Sequence, residues 1–204
     1  MFLALHGQTE WNRDGRVQGQ LDSPLTEHGR RQAATAARIL GGQSLVPGTF
    51  EIVCSPLGRT RETARIIAAE LGFDISAIRS DERLREVSLG QWDGHTRAEI
   101  EAGWPEGIAG SDRYNWFFRS PDGETHDDVA RRLGGWLEAH AHHDRLVIVT
   151  HGIASRVLRG LYARLSIEDA LRSEVARDAI FRLAGGQIEK LSARADQADG
   201  RPSA

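Results

Sequence analysis

The run Leu146-Val147-Ile148-Val149 has no polar residue and is far too short to cross a membrane. A strand with one wet face alternates apolar and polar side chains. A strand apolar throughout must be covered on both faces. Phe2-Leu3-Ala4-Leu5 has the same character, and Phe50-Glu51-Ile52-Val53-Cys54 comes close. Helical patterns lie between these runs. Thr26 is an N-cap candidate for a helix to about Leu40, with a mostly alanine apolar face and a stop at Gly41-Gly42. A second helix is predicted from about Arg59 to Leu71, closed by Gly72. Thr96 to about Ala102 reads as a short helix, a longer one opens at Thr125 or Asp127, and another covers Gly152–Tyr162. Ile75–Ile78 is a third strand candidate, and Ala179–Leu183 with Gln187–Leu191 flanks a hairpin turn at Ala184-Gly185-Gly186. Buried strands alternating with helices predict an α/β fold, a three-layer α/β/α sandwich around a mostly parallel sheet.

The 204 residues fit one domain with a full core, placed over 1–192. The stretch from about 94 to 124, rich in glycine, proline and aromatics towards its end, reads as a lid-like excursion. The polar tail 193–204 is expected to be disordered.

Composition removes several classes. A net charge of −3 gives no bulk attraction to nucleic acid or anionic lipid, so neither is an expected partner. The only lysine, Lys190, does not follow a glycine, which excludes a Walker A loop. One cysteine, Cys54, allows neither an intrachain disulfide nor a multi-cysteine metal site. No basic region precedes the first apolar run, so a signal peptide is not expected and a cytoplasmic location is.

Two His-Gly steps follow strands directly: Leu5-His6-Gly7-Gln8-Thr9-Glu10-Trp11-Asn12 and Thr150-His151-Gly152-Ile153. In an open α/β sheet, ligands bind at the carboxyl ends of strands. Both histidines therefore point to one site built from the two ends of the chain. Ser55-Pro56-Leu57-Gly58-Arg59-Thr60-Arg61-Glu62-Thr63-Ala64 adds arginines after a third strand. A nucleophilic imidazole, a second imidazole and a guanidinium are the parts of a phosphoryl-transfer site.

These blocks, with Gly15-Arg16-Val17-Gln18-Gly19, Asp22-Ser23-Pro24-Leu25-Thr26 and Leu84-Arg85-Glu86-Val87-Ser88-Leu89-Gly90-Gln91-Trp92-Asp93-Gly94, resemble the histidine phosphatase superfamily, branch 1, the phosphoglycerate mutase-like group. They come in the family's order from residue 3 to about 160. The resemblance implies that His6 is the phosphorylated nucleophile, that Arg59 and His151 clamp the phosphoryl oxygens, and that Glu86 is the proton donor. It implies that Asn12 helps hold the phosphate. Gly152 is expected to open a helix whose amides bind anions. Arg16 and Gln18 are expected on an outer rim that sets substrate choice. Trp92 is either rim or packing beneath the Glu86 loop. The implied activity is metal- and cofactor-independent hydrolysis of a small phosphomonoester through a phosphohistidine. The alternatives are a phosphoglycerate mutase using the same intermediate and a phosphate-binding protein with impaired turnover.

The last alternative rests on one departure. The family usually has Arg before its nucleophilic histidine, and this chain has Leu5. A charge-assisted bond lost from the transition state is worth about 1.5–3 kcal/mol, roughly one to two decades in rate. Arg61, Arg83 or Arg85 could reach in instead, activity could be reduced, or phosphate could bind without turnover.

Other phosphatase chemistries fit less well. Cys-dependent phosphatases separate Cys and Arg by five residues, whereas four lie between Cys54 and Arg59. No Asp-x-Asp pair supplies an aspartyl nucleophile. His140, His142, His143 and Asp144 read as a solvated helix end rather than a metal cluster.

Overall fold

The computed structural model describes residues 1–193 except 44 and 46. The tail from 194 onward lies outside the described residues. Six strands form one sheet: β1 (Phe2–Leu5), β2 (Glu51–Cys54), β3 (Arg79–Ser80), β4 (Leu146–Thr150), β5 (Ala179–Ala184) and β6 (Gln187–Ser192). Their spatial order is β3-β2-β4-β1-β5-β6. The first four are mutually parallel, and β5 and β6 close one side antiparallel. The fold is the three-layer α/β sandwich expected from the apolar runs.

The alternation of side chains explains those runs. Leu3, Leu5, Val53, Leu146 and Ile148 point into one core. That core contains side chains of α6 (His126–Ala139) and α7 (Gly152–Ala163). Phe2, Ala4, Ile52, Cys54, Val147 and Val149 point into the other. There α2 (Glu27–Gly41) presents Ala36, Ala37, Ile39 and Leu40, and α3 (Gly58–Leu71) presents Ala64, Ile67 and Ala68. Both faces of the sheet are dry, so no polar alternation survives in the strands between them.

The caps behave as their chemistry requires. Thr26 accepts from the Gly29 amide at 3.0 Å. Thr125 and Asp128 form a capping box at the start of α6. Gly72 ends α3 in the left-handed region at φ 70°.

Four local features differ from the sequence expectation or add to it. Ile75–Ala77 is a 3-10 turn, because Asp74 caps the Ser76 amide at 2.8 Å, and the strand is only Arg79–Ser80. A four-residue helix, α1 (Glu10–Arg13), folds inside the first His-Gly loop on a Thr9–Asn12 capping box. The excursion is packed on the domain: α4 (Arg97–Gly103) buries Ile100, α5 (Pro105–Ile108) follows, and Trp116 stacks on fully buried Trp92 at 5.9 Å. The sequence reading assigns nothing between Tyr162 and Ala179, where α8 (Ile167–Arg172) packs on α7, Ala170 lying tight against Gly160.

Candidate active site

Adjacency of the two histidines is a consequence of register. Strand β4 inserts between β1 and β2, and Leu5 pairs with Thr150. The next residue on each strand is a histidine. The His6 amide donates to Thr150 O at 3.0 Å, and the two imidazole centroids lie 5.2 Å apart.

The His6 ring is buried, with Nδ1 2.8 Å from Gly7 O. A carbonyl only accepts, so Nδ1 carries the proton and Nε2 keeps its lone pair. Burial pushes the His6 pKa well below its usual value, and the charges of Arg59 and Arg177 push it further. The ring is therefore neutral at physiological pH, the form that can attack phosphorus.

Gly7 is fixed by close approach. Its amide donates to Thr63 Oγ1 at 3.2 Å, and a Cβ there would run into the backbone carbonyl of Gly29 in the first turn of α2. Only glycine lets the nucleophile loop lie against that helix.

His151 is fully buried, and its Nε2 lies 2.7 Å from Ser55 Oγ. The Leu57 amide donates to that oxygen at 3.4 Å. Nδ1 is enclosed without a partner among the described residues. Burial, then Arg59 and His6, lower the His151 pKa well below the ordinary range.

Arg59 opens α3 and is 2% exposed. Its Nη1 donates to Leu21 O at 2.6 Å and Asp22 Oδ1 at 3.0 Å, and its Nη2 to Gly19 O at 2.7 Å. Asp22 also accepts from the Gly58 amide. The loop 19–22 thus fixes one edge of the guanidinium, while Nε is buried without a partner among the described residues.

Glu86 sits at the N-terminus of α7. Its Oε2 accepts from the Ile153 amide at 3.1 Å and its Oε1 from the Ala154 amide at 2.9 Å. This corrects the role expected of that helix end. The amides after Gly152 hold the carboxylate rather than standing open to phosphate, and a Cβ on Gly152 would come 3.8 Å from Glu86 Oε2. Behind it, Arg132 donates to Glu86 O at 3.2 Å and to Arg83 O and Arg85 O at 2.7 and 2.8 Å.

Asn12 Oδ1 closes the α1 capping box on the Thr9 amide at 3.2 Å and accepts from Arg177 Nη2 at 3.2 Å. One of the two rim residues is corrected, and the other is held by its neighbours. Arg16 is committed to Glu99 and to Gly94 O at 2.8 Å, tying the first loop to α4. Gln18 is 6% exposed and donates to Thr9 Oγ1 at 2.7 Å, beneath the loop rather than on its rim. Trp92 is packing, with no exposure.

The three arginines that could stand in near Leu5 are otherwise engaged or exposed. Arg83 is held by Asp81 at 2.7 Å and Arg85 lies beside Glu82, while Arg61 is an exposed residue on α3. Arg177 and Arg132 carry no motif in the sequence. Arg177 precedes β5, a strand the sequence does mark, and that position is the only signal that could have found it. Cys54 is fully buried, and burial raises its thiol pKa.

The family model of the histidine phosphatase superfamily (branch 1) matches residues 1–190, and the chain belongs to that superfamily. A protein of Cronobacter sakazakii named a probable phosphoglycerate mutase, GpmB, is 38% identical over 160 residues, 76% of this chain and 70% of the relative. The solved structure of Bacillus stearothermophilus YhfR matches with a TM-score of 0.75 at 31% identity, covering 92% of this chain and 93% of its own. A mycobacterial glucosyl-3-phosphoglycerate phosphatase, solved with VO3, matches at 0.73 and 33% identity, over 94% and 96% of the two chains.

Proposed function

We propose that this chain hydrolyses a small phosphorylated metabolite through a phosphohistidine on His6. One observation carries the proposal. A neutral, buried His6 ring, its tautomer fixed by Gly7 O, lies 5.2 Å from the His151 ring within the field of Arg59. In the proposed cycle, His6 Nε2 attacks phosphorus in line, the ester P–O bond breaks, and Glu86 gives its proton to the leaving oxygen. Glu86 then takes a proton from water. That water's oxygen attacks the phosphohistidine, the P–N bond breaks, and inorganic phosphate leaves with His6 neutral again. The guanidinium of Arg59 and the His151 ring bind the phosphoryl oxygens, which stay negative throughout transfer. These groups supply the positive field, so the cycle calls on no metal or cofactor.

Phosphate release from a panel of phosphomonoesters in EDTA, phosphoglycerates included, tests this. Release is expected from wild type and lost in His6→Ala. Release unchanged by that substitution, or abolished by EDTA and restored by metal, refutes the mechanism.

A phosphoglycerate mutase is the second reading, and the names of the curated relatives favour it. The two part at the phosphohistidine, which passes its phosphoryl group to water or back to bound glycerate. Incubation with 3-phosphoglycerate separates them, free phosphate marking the hydrolase and the 2-phospho isomer the mutase.

A further inference from the structure

Arg177 lies between α8 and β5. The pairing of Ala4 with Ile180 brings the start of β5 alongside the end of β1, from which His6 emerges. The guanidinium reaches Asn12 Oδ1 at 3.2 Å, across 165 residues of sequence. Among the described residues its enclosed Nε has no hydrogen-bond partner and its guanidinium has no ion pair. Two more buried nitrogens of the site are also unpartnered among the described residues, Arg59 Nε and His151 Nδ1. Two enclosed guanidinium N–H groups without a partner are costly for the fold alone, and an anion is the chemistry that would satisfy them. Leu5 offers no donor. It is 3% exposed and shares its apolar cluster with Ala176 and Ala179, which bracket Arg177.

We propose that Arg177 is the second guanidinium of the phosphoryl site, binding the transferring group from the β5 side in place of an arginine at position 5. This rests on the phosphohistidine reading above. It gives Asn12 a positioning role as well, since Asn12 Oδ1 orients Nη2. Burial lowers the Arg177 pKa and the nearby Glu86 charge raises it, consistent with a cation drawn into the pocket.

The test measures kcat/KM on an ester that wild type hydrolyses and the Kd of inorganic phosphate by calorimetry. Arg177→Met keeps the stem and removes the donors. It is expected to lose about 10- to 100-fold in both quantities, with the thermal transition retained. Adding Leu5→Arg to that variant is expected to restore about tenfold or more, which a purely structural role for Arg177 would not allow. Wild-type rate and phosphate affinity in Arg177→Met overturn the proposal, as does a double variant no better than the single one. If Arg177→Met loses its thermal transition, Arg177→Lys carries the test. Lysine cannot donate as a fork, so about a threefold loss or more in both quantities is expected, and none overturns the proposal. Turnover that survives His6→Ala would instead refute the phosphohistidine, leaving phosphate affinity to judge Arg177.

Discussion

Arg132 and Glu124 meet in a two-point ion pair, Nε to Oε1 at 2.7 Å and Nη2 to Oε2 at 2.9 Å, behind the loop that carries Glu86. Both side chains are mostly buried, 15% and 21% exposed. Glu124 also accepts from the Ser88 amide at 2.9 Å, while Arg132 donates to three carbonyls of the loop. Helix α6 thus holds the Glu86 loop by its backbone, and α7 holds the Glu86 carboxylate.

Arg132→Ala removes a donor from three carbonyls and leaves Glu124 without its cation. Partial burial puts the expected loss at about 2–4 kcal/mol. The catalytic signature should be a fall in kcat of about tenfold with KM little changed, because Arg132 positions Glu86 and touches no substrate in the proposed cycle. Urea denaturation and steady-state kinetics on Arg132→Ala and Glu124→Gln check this. Wild-type kcat in a measurably destabilised Arg132→Ala would show that the loop keeps Glu86 in place unaided.

Glu86→Gln separates proton donation from positioning. An amide cannot give up a proton, yet its oxygen can still accept from the α7 amides. Esters of poor alcohol leaving groups need that proton most. Their kcat/KM is expected to fall about 100-fold or more, and that of a nitrophenyl ester less than about tenfold. Equal losses across leaving groups would remove the acid role from Glu86.

How much of this was legible follows from where each residue sits. His6 and His151 could be read because each directly follows an apolar strand, and carboxyl ends of such strands meet. Their pairing needed only that β4 lie beside β1. Arg59 and Glu86 were reached through the family resemblance, and Leu5 was visible as a departure from it. The remedy was not visible, since Arg177 sits in an unpatterned turn and reaches the site only through antiparallel pairing of β5 with β1. Arg16 and Gln18 flank the motifs in sequence, but ion pairing with Glu99 and burial against Thr9 are tertiary facts. The cap of Asp74 on Ser76 turns the Ile75 run away from the sheet, a local side-chain bond that the apolar pattern does not encode.

Gly7→Ala tests the contact between the nucleophile loop and α2. The added methyl would strike the Gly29 carbonyl, part of helix backbone rather than a flexible side-chain end. The loop must move, and His6 moves with it. Overpacking is expected to cost about 1–3 kcal/mol, and a shift of the nucleophile near 1 Å to cost about 100-fold in kcat. Thermal unfolding and single-turnover phosphate release check both. Gly29→Ala strikes Gln8 O from the other side and should reproduce the stability loss. Wild-type stability in both variants would show that the backbones are not in tight contact.

The two buried histidines also set how stability varies with pH. Burial is the first cause of both lowered pKa values, with Arg59 next in each case. The unfolded chain titrates these rings near their usual value of about 6.5, so below that pH it binds protons that the folded chain refuses. Their contribution to stability is therefore complete above about pH 6.5 and is lost as pH falls towards the folded values. Each proton adds a limiting slope of about 1.4 kcal/mol per pH unit. Asp81, whose pKa is lowered first by its Arg83 hydrogen bond, acts in the same direction but only below the carboxylate range, near pH 4 and under. In the window from about pH 5 to 6.5 the two histidines act together, while Asp93, whose pKa burial raises, acts in the opposite direction. Urea midpoints across it should fall with acid in wild type. The variant His6→Asn/His151→Gln keeps an amide near each hydrogen-bond position and should show a flatter dependence. An equal slope in the two proteins would mean that other groups carry the acid sensitivity.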